Sequence, residues 1–206
     1  NRPWWLTASY RSAVTATVHP ASESPPAIVA ISRCEEVSAR VACALRPSER
    51  LLAPVTPRTL VEFPVSGANP NLAGIALGPD GNFWFGVQGN NTVGRVTPAG
   101  VVTEFPVPTA NANPYGIAAG PDGNLWFAER TANAVGRITP TGTVTEFPVL
   151  TPASSPLHIA AGPDGNLWFT QVDGNRIGRI TPAGAVTEFP LPNPGSGPSR
   201  IVAGPD

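Results

Sequence analysis

From residue 61 onward, short apolar runs alternate with Gly- and Pro-rich breaks in a fixed order. Within one stretch, "YGIAAG" (115–120) leads into the turn "GPDG" (120–123), and "NLWFAE" (124–129) follows. Next come "AVGRIT" (134–139), the turn "PTG" (140–142) and "TVTEFPV" (143–149), and "LTPASSP" (150–156) opens the following unit. Apolar and aromatic residues alternating over five or six positions between turn residues are strand signals. In the "GPDG" turn, Pro121 presets φ, Asp122 suits the next position and Gly123 accepts φ > 0. The pattern predicts four short strands per unit.

The unit repeats. "GPD" begins at 78, 120, 162 and 204, and Trp stands at 84, 126 and 168. "GR" falls at 94–95, 136–137 and 178–179, and "EFP" at 62–64, 104–106, 146–148 and 188–190, so every interval is 42 residues. Four strands in such a period match one propeller blade, whose repeats run ~40–50 residues, whereas leucine-rich repeats are shorter at ~20–29. Pro148 lies inside the fourth strand, where its missing N–H is tolerated only at an edge, and the fourth strand of a blade is the outer edge. The expectation is an all-β fold: an incomplete β-propeller with blades at about 72–107, 114–149 and 156–191. Single strands at 61–65 and 198–203 should flank them, with no helix longer than two turns in 61–206. The chain stops inside a fourth "GPD", as a fragment would.

Residues 1–60 carry no repeat. Their Pro/Ser stretch "HPASESPPA" suits a linker or disorder, and "IVAISRCEEVSARVACAL" fits a helical period only loosely. A leader, a small cap and a faulty upstream reading frame stay open as readings. Cys34 and Cys43 both lie here; a disulfide and two free thiols are equally compatible, and two cysteines alone fall short of the four ligands zinc takes. The composition adds exclusions. Charged residues are 13%, the formal charge is −1 and no basic cluster occurs, which disfavours nucleic acid as a partner. No apolar run reaches the ~20 residues of a membrane span.

The phrases "GPDGNLWFAE" (120–129), "NAVGRITPTGTVTEFPV" (133–149) and "GNRIGRITPAGAVTEFPLP" (174–192) strongly resemble the streptogramin B lyases, also called virginiamycin B lyases. The resemblance covers residues 61–206. It implies a seven-bladed bacterial propeller, of which this chain holds about three blades, and an antibiotic-resistance enzyme that opens a cyclic depsipeptide at its ester by elimination. It also implies a His general base and a magnesium ion at the channel mouth. In that family the base sits in a Pro-His-Gly-Ile or Pro-His-Ala-Ile segment opening the first strand of late blades, and this chain has no such segment. The position after Pro is Tyr115, Leu157 or Ser199, with His158 one residue further along. One step along a strand reverses the face, so the base role is not carried onto His158. No catalytic residue and no metal ligand is therefore assigned. Two other readings stay open: a non-catalytic propeller that binds a ligand or partner, and a lactone hydrolase of a related propeller family.

Residues shared by every copy are most economically structural. Asp80, Asp122 and Asp164 read as turn residues, Trp84, Trp126 and Trp168 as packing between blades, and Arg137 with Glu146 as a repeated ion pair or hydrogen bond. Function is sought where copies differ, at strand-one starts and strand-two ends, which share one end of a blade. There Tyr115, Glu129, Arg130, His158, Gln171 and Arg200 are candidate contacts on a channel rim for a small-molecule or cyclic-peptide ligand. Open blade edges also predict self-association.

Overall fold

A computed structural model describes residues 61–67 and 69–204, together with the strands Ala13–Thr17 (β1) and Ile28–Ala30 (β2). The expectations for Cys34, Cys43 and the loosely periodic stretch 28–45 lie outside the described residues, apart from the backbone of β2. β1 pairs antiparallel with both β2 and Val61–Pro64 (β3), in the order β2-β1-β3.

The rest is three antiparallel four-stranded meanders. Blade 1 comprises Leu72–Leu77 (β4), Phe83–Val87 (β5), Thr92–Val96 (β6) and Val102–Pro106 (β7). Blade 2 comprises Pro114–Ala119 (β8), Leu125–Glu129 (β9), Ala134–Ile138 (β10) and Val144–Pro148 (β11). Blade 3 comprises Pro156–Ala161 (β12), Leu167–Gln171 (β13), Arg176–Ile180 (β14) and Val186–Pro190 (β15). Among the described residues the only helical element is one 3-10 turn, Gln88–Asn90. The fold is an open, incomplete β-propeller. Residues 198–203 form no strand, because among the described residues they have no hydrogen-bonding neighbour in a sheet.

Blade faces, rather than blades, make the cores. Along β9, Leu125 and Phe127 point toward blade 1, where they pack with Ile138 against Trp84, Val93, Val107 and Ala112. Trp126 points the other way, and joins Val135 and Val149 against Ile159, Leu167, Phe169 and Ile180 of blade 3. The period-2 alternation of a strand thus serves two different interfaces. Gly136 makes room on one of them: a Cβ there would lie 2.2 Å from the Phe127 ring. The Pro of each "EFP" falls on the strand that ends the sheet order, as its missing N–H requires.

The invariant polar residues fasten turns within each blade and loops between blades. Asp122 accepts hydrogen bonds from Asn124 N, Asn124 Nδ2 and Trp126 Nε1 at 3.2, 2.8 and 3.0 Å, and Asp80 and Asp164 repeat this. Arg137 lies over the stacked rings of Trp126 and Phe147 and donates to Pro182 O of blade 3 at 3.2 Å. Arg95 does the same with Trp84, Phe105 and Pro140 O. Arg137 and Glu146 therefore make no ion pair with each other. Opposite residues across the ladder are Arg137 with Thr145 and Gly136 with Glu146, which puts the two side chains on opposite faces. Glu146 instead accepts from Thr109 N and Oγ1, both at 3.0 Å, on the loop leaving blade 1.

Candidate functional site

The first strands of successive blades touch, and small residues set how closely. A Cβ on Gly74 would come 2.5 Å from Tyr115 O, and one on Gly116 would come 2.7 Å from His158 Cα. These inner strands line the propeller axis. In the 42-residue register Gly74, Gly116, His158 and Arg200 are equivalent, so His158 and Arg200 stand where the first two blades carry glycine.

Each inner strand also carries a bulge at this point. Pro156 pairs with Gln171 and Ile159 with Phe169, so one extra residue is inserted between them, and blade 2 shows the same shift between Pro114 and Ile117. A bulge suspends the two-residue alternation. Parity cannot be counted through residues 157 and 158, so the face His158 presents does not follow from a one-residue step past Leu157. His158 is half-buried, and its backbone N–H donates to Thr170 Oγ1 at 3.1 Å. Its Nδ1 is buried and unpartnered. Burial, then the nearby Arg200 charge, hold the imidazole below its ordinary 6.5, against a hydrogen bond to the Ile201 backbone that raises it. It is a neutral ring at pH 7.

The six candidate residues separate into two groups. Arg130 and Arg200 are exposed, and Tyr115 and His158 are half-buried at the strand-one starts. Glu129 and Gln171, by contrast, are fully buried. They share the parity of Phe127 and Phe169 on their strands, so they turn into the interface with the preceding blade rather than toward the channel. Between the ends of blades 1 and 2, a cleft of ≈ 270 Å³ is lined by Asn71, Gln88, Asn111, Asn113 and Thr131. Its lining is amide and hydroxyl chemistry without charge.

Two polar sets escaped the sequence reading. Asn91, Asn133 and Asn175 adopt left-handed φ of 56°, 56° and 51°. Each amide donates to the loop leaving its own blade and accepts from the start of the next, as Asn133 does from Ser154 N at 2.8 Å and to Thr151 O at 3.0 Å. Their recurrence every 42 residues was the available signal. The second set is Glu129 beside Glu146: burial first, then the Glu146 charge and a hydrogen bond with it, push the Glu129 carboxyl up to about 8.

The resemblance to magnesium-dependent lyases calls for a metal cradle. Among the described residues no three His, Cys, Asp or Glu side chains converge. The carboxyls that do meet, Glu129 and Glu146, lie at an interface where Glu129 is fully buried. Magnesium takes near-octahedral oxygen ligands and keeps several waters, and these residues do not fit it. No helix among the described residues is long and apolar enough to cross a membrane.

Open four-stranded blades stacked face to face, with their first strands side by side, define a β-propeller. The Virginiamycin B lyase family matches over residues 50–206, and the chain belongs to that family. Among solved structures, a streptogramin B lyase shares 37% identity with a TM-score of 0.70, covering 72% of this chain and 50% of its own. Selenomethionine-substituted virginiamycin B lyase from Staphylococcus aureus shares 40% with a TM-score of 0.71, covering 74% and 52%. A catalytically inactive variant of the S. aureus enzyme, solved with quinupristin, shares 41% with a TM-score of 0.71, covering 72% and 51%. The chain thus spans about half the length of the structures it matches. A search of curated proteins finds no match.

Proposed function

We propose that this chain forms part of a streptogramin B lyase-type enzyme, and that its three blades build wall and rim of the ligand channel rather than the proton-transfer centre. The observation that carries this is the pairing of family membership with the placement of the variable residues. Tyr115 and His158 stand at the starts of adjacent inner strands, Arg130 lies just past the end of β9 and Arg200 at the position equivalent to His158, while the invariant Asp residues hold their own turns and Arg137 and Glu146 link neighbouring blades. The quinupristin complex of the S. aureus relative supports a cyclic depsipeptide as the ligand class. Such a ligand offers an aromatic and amide-rich surface. Tyr115 supplies a ring for stacking, and Arg130 and Arg200 supply donors for its carbonyl groups.

In the proposed reaction a base removes the proton on the carbon next to the ester-bearing carbon, the C–O bond breaks, and a carboxylic acid and a C=C bond result. Ring opening by this route leaves the mass unchanged, whereas hydrolysis adds one water. Incubating the full-length protein with a type B streptogramin and magnesium, followed by mass spectrometry, separates the two. An unsaturated isomer is expected. A product heavier by one water, or no turnover with saturable binding, would replace this reading with a hydrolase or a binding module.

A further inference from the structure

Three copies of one blade act as internal controls for each other. In each of the three blades the Glu of "EFP" fastens the loop that leaves the preceding sheet. Glu104 accepts from Ser66 N and Oγ, Glu146 from Thr109 N and Oγ1, and Glu188 from Leu150 N, Thr151 N and Thr151 Oγ1. Blades 1 and 3 add donors from within their own blades. In blade 1, Thr92 Oγ1 donates to Glu104 Oε2 at 2.8 Å. In blade 3, Gln171 Nε2 donates to Glu188 Oε1 at 2.8 Å.

Blade 2 has neither donor. Position 92 becomes Ala134, and position 171 becomes Glu129. Glu129 is 0% exposed, and neither of its carboxyl oxygens has a hydrogen-bonding partner as a carboxylate. Glu129, Gly136 and Glu146 lie on one face of adjacent strands, and Glu129 Oε1 passes 2.5 Å from where a Gly136 Cβ would be. The missing side chain at 136 leaves the path toward Glu146 open. The elements packed around this face bring no countercharge to Glu129. Blade 1 contributes Val93, Val107 and Ala112, and Arg95 reaches away to Pro140 O. Arg137 on β10 points to the opposite face, over Trp126, and Arg130 is exposed beyond the strand end. Tyr115 on β8 and His158 on β12 stand at the inner-strand starts, and Glu146 is the charge that bears on Glu129.

We propose that Glu129 is held as the neutral acid and donates its O–H to Glu146, so that one shared proton fills the place of Thr92 in blade 1 and Gln171 in blade 3. This proton fastens the blade 1–blade 2 loop through Glu146 and Thr109, and its loss in alkaline solution loosens that fastening. A buried carboxylate beside a second carboxylate is strongly disfavoured, whereas an acid–carboxylate hydrogen bond satisfies both. The direction with pH follows from linkage. A folded value near 8 against 4.5 unfolded means that the folded chain holds an extra proton between those limits. The contribution is complete below pH 4.5 and is lost as pH rises through about 8.

The test uses Glu129→Gln in the full-length protein, since glutamine copies the arrangement of Gln171 with Glu188. Wild type should lose thermal stability steadily from pH 5 to pH 9, and the variant should lose most of that slope. Hydrogen exchange at the Thr109 amide, compared between the two proteins at each pH, should match at pH 5 and be faster in wild type at pH 9. Infrared difference spectra of wild type at pH 6 should show a protonated-carboxyl band that Glu129→Gln lacks; this decides the matter in wild type even if the variant fails to fold, with Glu129 labelled by isotope editing. An ionised Glu129 at pH 6, or an unchanged pH slope in a folded Glu129→Gln, overturns the proposal.

Discussion

Replacing Asp122 by alanine removes three hydrogen bonds of unequal worth. Asn124 N and Nδ2 are partly open to solvent, so water takes the place of their lost acceptor at a cost of about 0.5 kcal/mol each. Trp126 differs. Its side chain is 0% exposed and its Nε1–H points to Asp122 Oδ1 at 3.0 Å, so Asp122→Ala leaves a buried donor unpaired. An unsatisfied buried donor costs about 1–3 kcal/mol, which brings the expected loss to about 2–4 kcal/mol. Urea unfolding of the full-length protein at pH 7 should show a lower midpoint at unchanged slope. In a Trp126→Phe background no donor is stranded, so the same change should cost only about 1 kcal/mol, giving a coupling of about 1–3 kcal/mol. The pH dependence adds a second check. Burial raises the Asp122 carboxyl, but hydrogen bonds from Asn124 and Trp126 outweigh it and hold the group below its ordinary 3.8. With the folded value depressed, the stabilisation is present above 3.8 and lost as pH falls through the lower folded value. A loss under about 0.5 kcal/mol at pH 7, or strict additivity in the double mutant, would refute the assignment of Asp122 to the indole.

Three further outcomes are expected. Gly136→Ala places a methyl 2.2 Å from the buried Phe127 ring and should destabilise by about 1–3 kcal/mol or more, read by thermal melting; a neutral result would mean that the ring moves freely. If the proposed lyase activity holds, His158→Ala should leave turnover of the full-length protein within about tenfold, or ~1.4 kcal/mol, and a thousandfold loss in kcat would place proton transfer on this ring. Trp168 is half-buried where Trp84 and Trp126 are fully covered, and Phe189 and Val202 are 39% and 82% exposed. At ~1.5–3 kcal/mol per large apolar side chain, covering this face favours association of the purified 206-residue chain. Light scattering that finds a dilution-resistant monomer with a cooperative melt would refute this.

The sequence by itself determined what depends on neighbours a few residues away. The 42-residue period, the strand positions, the "GPDG" turn and the edge placement of Pro148 all rest on local dihedral preferences and on short-range alternation of apolar residues. Repetition amplified these signals until the blade was legible without coordinates. The tertiary structure decided which blade face each side chain meets. Arg137 reaches Pro182 O 45 residues away, and Glu146 takes the amide of Thr109 37 residues away, so neither partner could be read from strand pairing within one blade. The bulge at Tyr115 and Leu157 was invisible for a related reason, since an inserted residue leaves composition unchanged while resetting alternation. Glu129 shows the limit most plainly. Its letter marks a charged residue at a strand end, yet strand parity turns it inward, the empty space over Gly136 admits it, and the loop leaving blade 1 brings Thr109 to Glu146 beside it. Burial and the charge of Glu146 then make the neutral acid the stable form, a property that belongs to the assembled blades and not to the residue.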